Sequence, residues 1–171
     1  MDRFSSRYRA CLTLALMLLS LPACTIHWRQ PRIEPLNTNR IYDAEFSGAC
    51  AAAESVIAEF GLSVKESRQE DNACLVESGF RVFPDTGDKP TDHLDRVAIT
   101  GAGGFIGGRY TVTLTVRGVR NESTRVKVVT RVEGYINEEF GYQVLRSTGV
   151  IEREMFAALG RLLGTTPIEA N

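Results

Sequence analysis

The chain has 171 residues, of which 43% are hydrophobic and 24% charged. That is the size of one ordinary domain, and the composition excludes wholesale disorder and collagen-like repeats. A formal net charge of −1 supplies no overall field toward nucleic acid, so no nucleic-acid partner is expected.

Residues 1–23 read as a targeting segment. Arg3, Arg7 and Arg9 form a positive start, and Ala10 to Leu21 is an apolar run. A membrane-spanning helix needs about 20 apolar residues. This run is shorter, as the apolar stretch of a signal peptide is. The next step, Leu21-Pro22-Ala23-Cys24, resembles the lipobox of bacterial lipoproteins. In that family the cysteine receives a diacylglycerol thioether, the peptide is cut before it, and the new amine is acylated with a fatty acid such as palmitate. Thr25 follows the cysteine, and in the family a residue other than Asp there implies the periplasmic face of the outer membrane. Ordinary secretion is the alternative, because Leu-Pro-Ala also suits the usual signal peptidase.

Residues 24–39 contain Pro31 and Pro35 without periodicity and read as a flexible tether. Residues 40–171 read as one periplasmic domain. Cys11 leaves with the signal peptide and Cys24 is consumed by lipid, which leaves Cys50 and Cys74 as an even pair in an oxidising compartment.

Asn39 to Tyr42 is a short strand. A first helix spans Ala44 to Phe60, with Asp43 as N-cap and Gly61 past its end. Phe46, Cys50, Ala53, Ile57 and Phe60 fall on one helical face. Strands follow at Leu62 to Ser67 and Ala73 to Val82, joined by a turn at Arg68 to Asn72. Cys74, Val76, Phe80 and Val82 are in phase on one side. This layout brings Cys74 opposite Ser67 and level with Cys50, so a Cys50–Cys74 disulfide is expected. Phe83 to Asp95 reads as a loop and Arg96 to Thr100 as a short strand. Tyr110 to Val119 and Thr124 to Tyr135 alternate apolar and polar residues and predict an antiparallel hairpin with one apolar face. Tyr142 to Leu145 is a short strand. A last helix spans Val150 to Leu163, with Ser147 or Thr148 as cap and Ile151, Met155, Ala158, Leu159 and Leu162 on one face.

Helix, strands, helix in that order predicts an α+β fold: an antiparallel sheet of about 4–6 strands with both helices on one face. The mature chain resembles small periplasmic α+β lipoproteins of proteobacteria. The resemblance rests on the signal peptide, the Phe60-Gly61 step, the β meander, and Ser147-Thr148-Gly149 before a Glu-containing helix. It is one of architecture and brings no catalytic motif.

Val97 to Gly107 (VAITGAGGFIG) is similar to the cofactor loop of extended short-chain dehydrogenases. That loop needs a helix after it, and here an alternating strand follows. The family's Tyr-x-x-x-Lys is also absent. Gly101 to Gly108 is instead expected to turn between two antiparallel strands, with no cofactor. A second reading makes it a loop presenting Phe105 and Ile106 to a partner. Cys50 with His93 as base is a conceivable nucleophile, but it sits mid-stripe on a helix. Asp85, Asp88, Asp92 and Asp95 match no cation loop, so no metal is expected.

Charge is unevenly spread. Residues 43–95 hold 12 acids and 4 bases, whereas 96–131 hold 7 bases and 1 acid. Arg117, Arg125, Lys127 and Arg131 fall on the polar side of the hairpin. They form a candidate contact for an acidic envelope protein, a phosphate headgroup or peptidoglycan carboxylates; the alternative is a solvated face with cross-strand acidic partners. The sequence thus points to a lipid-anchored, non-enzymatic binding or assembly module. The alternative function is a small-molecule or lipid binder with a pocket between helices and sheet.

Overall fold

The computed structural model describes residues 37–83, 90–101, 104–119 and 123–169. The chain divides into two units, Met1–Arg32 and Ile33–Asn171, and every element below belongs to the second. The expected signal segment, Cys24 and the expected tether up to residue 36 lie outside the described residues.

The alternating residues build the spine. Strands β6 (Gly107–Gly118) and β7 (Thr124–Tyr135) pair antiparallel without slip from Gly107↔Tyr135 to Gly118↔Thr124. Tyr110, Val112, Leu114, Val116, Val126, Val128 and Val132 are buried on one side. β-branched residues suit a half-buried pleated surface, which is why this stretch was the most legible.

Each outer edge of the hairpin carries two shorter strands end to end. Along β6 run β3 (Ala73–Ser78) and β4 (Arg81–Phe83). Along β7 run β1 (Asn39–Tyr42) and β8 (Tyr142–Ser147). Three more strands close the edges: β2 (Val64–Glu70) on β3, β9 (Ile168–Glu169) on β1, and β5 (Ala98–Ile99) on β8. All pairings are antiparallel.

Helices α1 (Phe46–Glu59) and α3 (Val150–Leu163) pack on the buried side and on each other. A third helix, α2 (Pro90–Val97), packs against β4, β5, β6 and α3. The layer between helices and sheet is filled by side chains without solvent exposure, among them Tyr42, Ile57, Leu114, Met155 and Leu159. The Tyr42 hydroxyl donates to the Phe156 carbonyl at 2.9 Å, which ties the first strand to the last helix. No described helix is long and apolar enough to cross a membrane.

The α+β class and the antiparallel sheet follow the sequence reading, but the described residues form nine strands rather than 4–6. The expected strand 73–82 breaks in two. Ser78 turns inward, and its hydroxyl accepts from Val112 N–H at 2.8 Å and donates to Gly79 O at 2.9 Å. The chain slips by one residue there and the inward face flips. Arg81 now points inward opposite Tyr110, while Phe80 and Val82, expected inside with Cys74 and Val76, are exposed.

Residues Arg68 to Glu70, expected in a turn, extend β2, so Cys74 pairs with Gln69 rather than Ser67. The end of the expected loop 83–95 is helix α2. Helix α1 starts at Phe46 behind Glu45, without the side-chain cap expected from Asp43. Its end is as expected: Gly61 takes φ +65°, and an Arg81 Nη donates to the Phe60 carbonyl. The N-cap of α3 is Gly149 at φ 79°, without the side-chain cap expected from Ser147 or Thr148; Ser147 instead accepts from Gly149 N–H and donates to Glu152, each at 3.0 Å. Leu162, expected on the buried face of α3, is exposed.

The core is complete within residues 33–171, so this unit should fold without the preceding segment. A protein beginning at Ile33 should melt in one cooperative transition. Leu114→Ala in it should cost about 2–5 kcal/mol in urea unfolding, because a fully buried side chain leaves a cavity.

Candidate functional site

The helices cover one side of the sheet and leave the polar residues of β6 and β7 open to solvent. The hairpin register places Arg117 directly opposite Arg125, and Thr115 opposite Lys127. On the next strand, Asn39 pairs with Lys127 and Ile41 with Arg125. These residues form a shallow groove of about 300 Å³, lined by Asn39, Thr115, Arg117, Arg125 and Lys127.

No ion pair joins Arg117, Arg125 or Lys127 to any described residue. Like charges directly across a strand pair repel, and three cations lie here without an acid among the described residues. The groove is an electrostatic debt that an anion would settle.

Arg131, expected in the same cluster, is drawn elsewhere. It pairs with Glu133 at 2.7 Å, as does Arg109, also at 2.7 Å. Glu133 is buried, and the two guanidiniums supply the compensation a buried carboxylate requires. Arg109 is also sandwiched between Phe80 and Tyr142, 4.0 and 3.8 Å from the ring centroids. The sequence showed Arg109 only as an outward residue of an alternating strand. Its partners come from the link before β4, from β7 and from β8, so only the strand order could reveal the stack.

Gly101 to Gly108 does not turn between two paired strands. Its preceding strand β5 pairs with β8, and Gly107 and Gly108 already belong to β6. No helix follows, as a dinucleotide loop would need. A Cβ at Gly108 would lie 2.8 Å from Leu94 Cδ1 and 2.9 Å from the Glu133 carbonyl oxygen. Phe105 is not presented to a partner. It is buried over Gly134, where a Cβ would stand 2.6 Å from its ring. Ile106 is exposed as expected. Gly108 and Gly134 permit this close packing, whereas Gly101, Gly104 and Gly107 face open space.

Cys50 and Cys74, expected to be bridged, are free, buried thiols in the structure. The helix and β3 bring the two thiols close enough for each to influence the other's ionisation. Burial, followed by the Cys74 contact, pushes the Cys50 thiol up to about 12. This opposes the thiolate a nucleophile needs.

Among the expected carboxylates, Asp85, Asp88 and the Asp92 side chain lie outside the described residues. Asp95 accepts from the Thr100 hydroxyl at 2.6 Å. No group of three or more His, Cys, Asp or Glu residues suited to a metal occurs among the described residues.

A second cleft of about 180 Å³ lies between β4, α2 and α3, and includes Arg81, His93, Tyr110 and Glu154. Its cations are engaged: Arg81 with the Phe60 carbonyl, and Arg96 with Glu154 at 2.5 Å. His93 stacks on Phe83. Burial raises the Tyr110 phenol, only partly offset by Arg81. This cleft is a packed structural seam. The chain matches no protein-family model and no curated protein sequence.

Two outcomes follow. Arg117→Thr should raise stability by about 0.2–1 kcal/mol at low ionic strength by removing the opposed charge, with the gain shrinking as salt is added. Thermal melts at two salt concentrations read this. The raised groups Cys50, Cys74, Tyr42 and Tyr110 all favour the protonated folded state. Their stabilisation is therefore full below the unfolded pKa and lost as pH rises. The melting temperature should begin to fall near pH 9, the ordinary thiol value being 9.0. Cys50→Ala with Cys74→Ala should move that onset toward the tyrosine value of 10.0.

Proposed function

We propose that this protein is a lipid-anchored, non-enzymatic binding module of the bacterial cell envelope. Cys24 is the lipidated N-terminus on the periplasmic face of the outer membrane, and the open sheet face takes an anionic partner. The observation that carries the binding reading is the groove of Arg117, Arg125 and Lys127, opposed across the hairpin and without acidic partners among the described residues. Several acyl chains on Cys24 would anchor the protein stably, at ~0.8 kcal/mol per buried CH₂.

The filled layer between helices and sheet favours a surface binder over a carrier that encloses its ligand. The residues carrying the groove sit on rigid paired strands, which hold their spacing without a ligand.

Two experiments test this reading. Cys24→Ala should abolish incorporation of labelled palmitate and release the protein from the outer-membrane fraction; retention there would place the anchor elsewhere. The Ile33–Asn171 unit should be retained on an immobilised polyphosphate column and elute with salt, despite the acidic excess of the mature chain. Arg125→Glu should abolish retention. Unchanged retention of that variant would remove the groove from the function.

A further inference from the structure

We infer that the groove end of the open sheet face docks on anionic phospholipid headgroups of the membrane that holds the lipid anchor. This deepens the proposed function and rests on it for the identity of the membrane. Three observations support it, and none requires a second protein.

The first is charge. Arg117, Arg125 and Lys127 form one unopposed cationic patch among the described residues. The acidic excess of the chain lies mostly in residues 43–95. An anionic surface attracts the patch more than it repels the rest, because attraction fades within a Debye length of about 8 Å.

The second is the apolar rim. Pairing places Arg117, Arg125, Ile41 and Ile168 in one row across β6, β7, β1 and β9, on the same side of the sheet. Ile168 is 67% exposed, and Val119, just past the end of β6, is 42% exposed. Cations flanked by exposed aliphatic side chains suit the headgroup boundary. The charges meet phosphates there, and the apolar groups enter the acyl edge. A soluble acidic peptide would satisfy the cations but leave the isoleucine wet.

The third is where the chain enters. The segment from Cys24 reaches the sheet at Asn37 and becomes β1, whose Asn39 is one wall of the groove. Twelve residues lie between Cys24 and Asn37. At ~3.6 Å per residue they reach about 45 Å at most. The chain thus enters the sheet at one wall of the basic patch, so a tether from an anchored Cys24 would lead to the same region of the sheet that carries the cations.

Vesicle flotation of the Ile33–Asn171 unit tests this without Cys24, so failure of lipidation cannot mask the result. The unit should float with phosphatidylcholine vesicles that contain phosphatidylglycerol and not with phosphatidylcholine alone, and salt should release it. Replacing Arg117, Arg125 and Lys127 together by Gln should weaken binding about a hundredfold, by about 1 kcal/mol per cation at an anionic surface. Ile168→Ser should weaken it less. A paired control, Lys65→Gln with Arg68→Gln on β2, should leave it unchanged. Thermal melts confirm that each variant is folded.

Equal binding to neutral vesicles, or full binding by the triple variant, overturns the proposal. So does capture by isolated peptidoglycan through the same three residues without vesicle binding. That last result would leave the anionic-partner function standing, whereas membrane release of Cys24→Ala is read separately and concerns the anchor alone.

Discussion

The whole structure hangs on the unbroken register of one hairpin. Strands β6 and β7 pair over their full length, and every other strand attaches to them directly or through one neighbour. Because side chains alternate with period two, that register decides at once which residues form the core and which face solvent. Val126 and Val128 lie under the helices for the same reason that Arg125 and Lys127 lie in the groove. A slip of one residue would bury three charges and expose the valines, so the hydrophobic core enforces the groove.

The same register divides the open face into two regions of opposite character. At the turn end, the cations lack acidic partners among the described residues. At the far end, Arg109 and Arg131 neutralise the buried Glu133, and the rings of Phe80, just before β4, and Tyr142 of β8 cover Arg109. Desolvated and exposed charges thus follow different rules within one strand pair. The buried carboxylate is fully compensated, as burial demands, while the exposed arginines can remain opposed because water and salt screen them.

What could be read from the sequence follows the range of the interactions. The hairpin, α1 and α3 rest on local periodicity, and their places were close to expectation. The groove residues were visible as outward positions of alternating strands. The inward turn of Ser78 was not visible, because it depends on a vacant ladder position at Val112. That single hydrogen bond exposed Phe80 and Val82 and created the platform for Arg109. The glycine-rich segment misled for the opposite reason. Its pattern suggested a turn or a loop, but Gly108 and Gly134 are required by Leu94 and Phe105, which are distant in sequence. Arg131 was grouped correctly by face and incorrectly by partner, since Glu133 lies on the same strand two residues on.

The entry of the chain through β1 has a mechanical consequence. Only a few residues, Asn39 to Tyr42, join the preceding segment to the sheet, with Thr38 O accepting from Val128 N–H at 3.0 Å. Any pull on that segment falls first on the β1–β7 ladder. When the pull runs along the strand, it loads the hydrogen bonds together in shear rather than one after another. The far end of β1 is pinned by Tyr42 to the α3 backbone, so force passes from the ladder into the last helix. A four-residue strand would therefore couple any load on the preceding segment to the folded body, and it would be the first element to part.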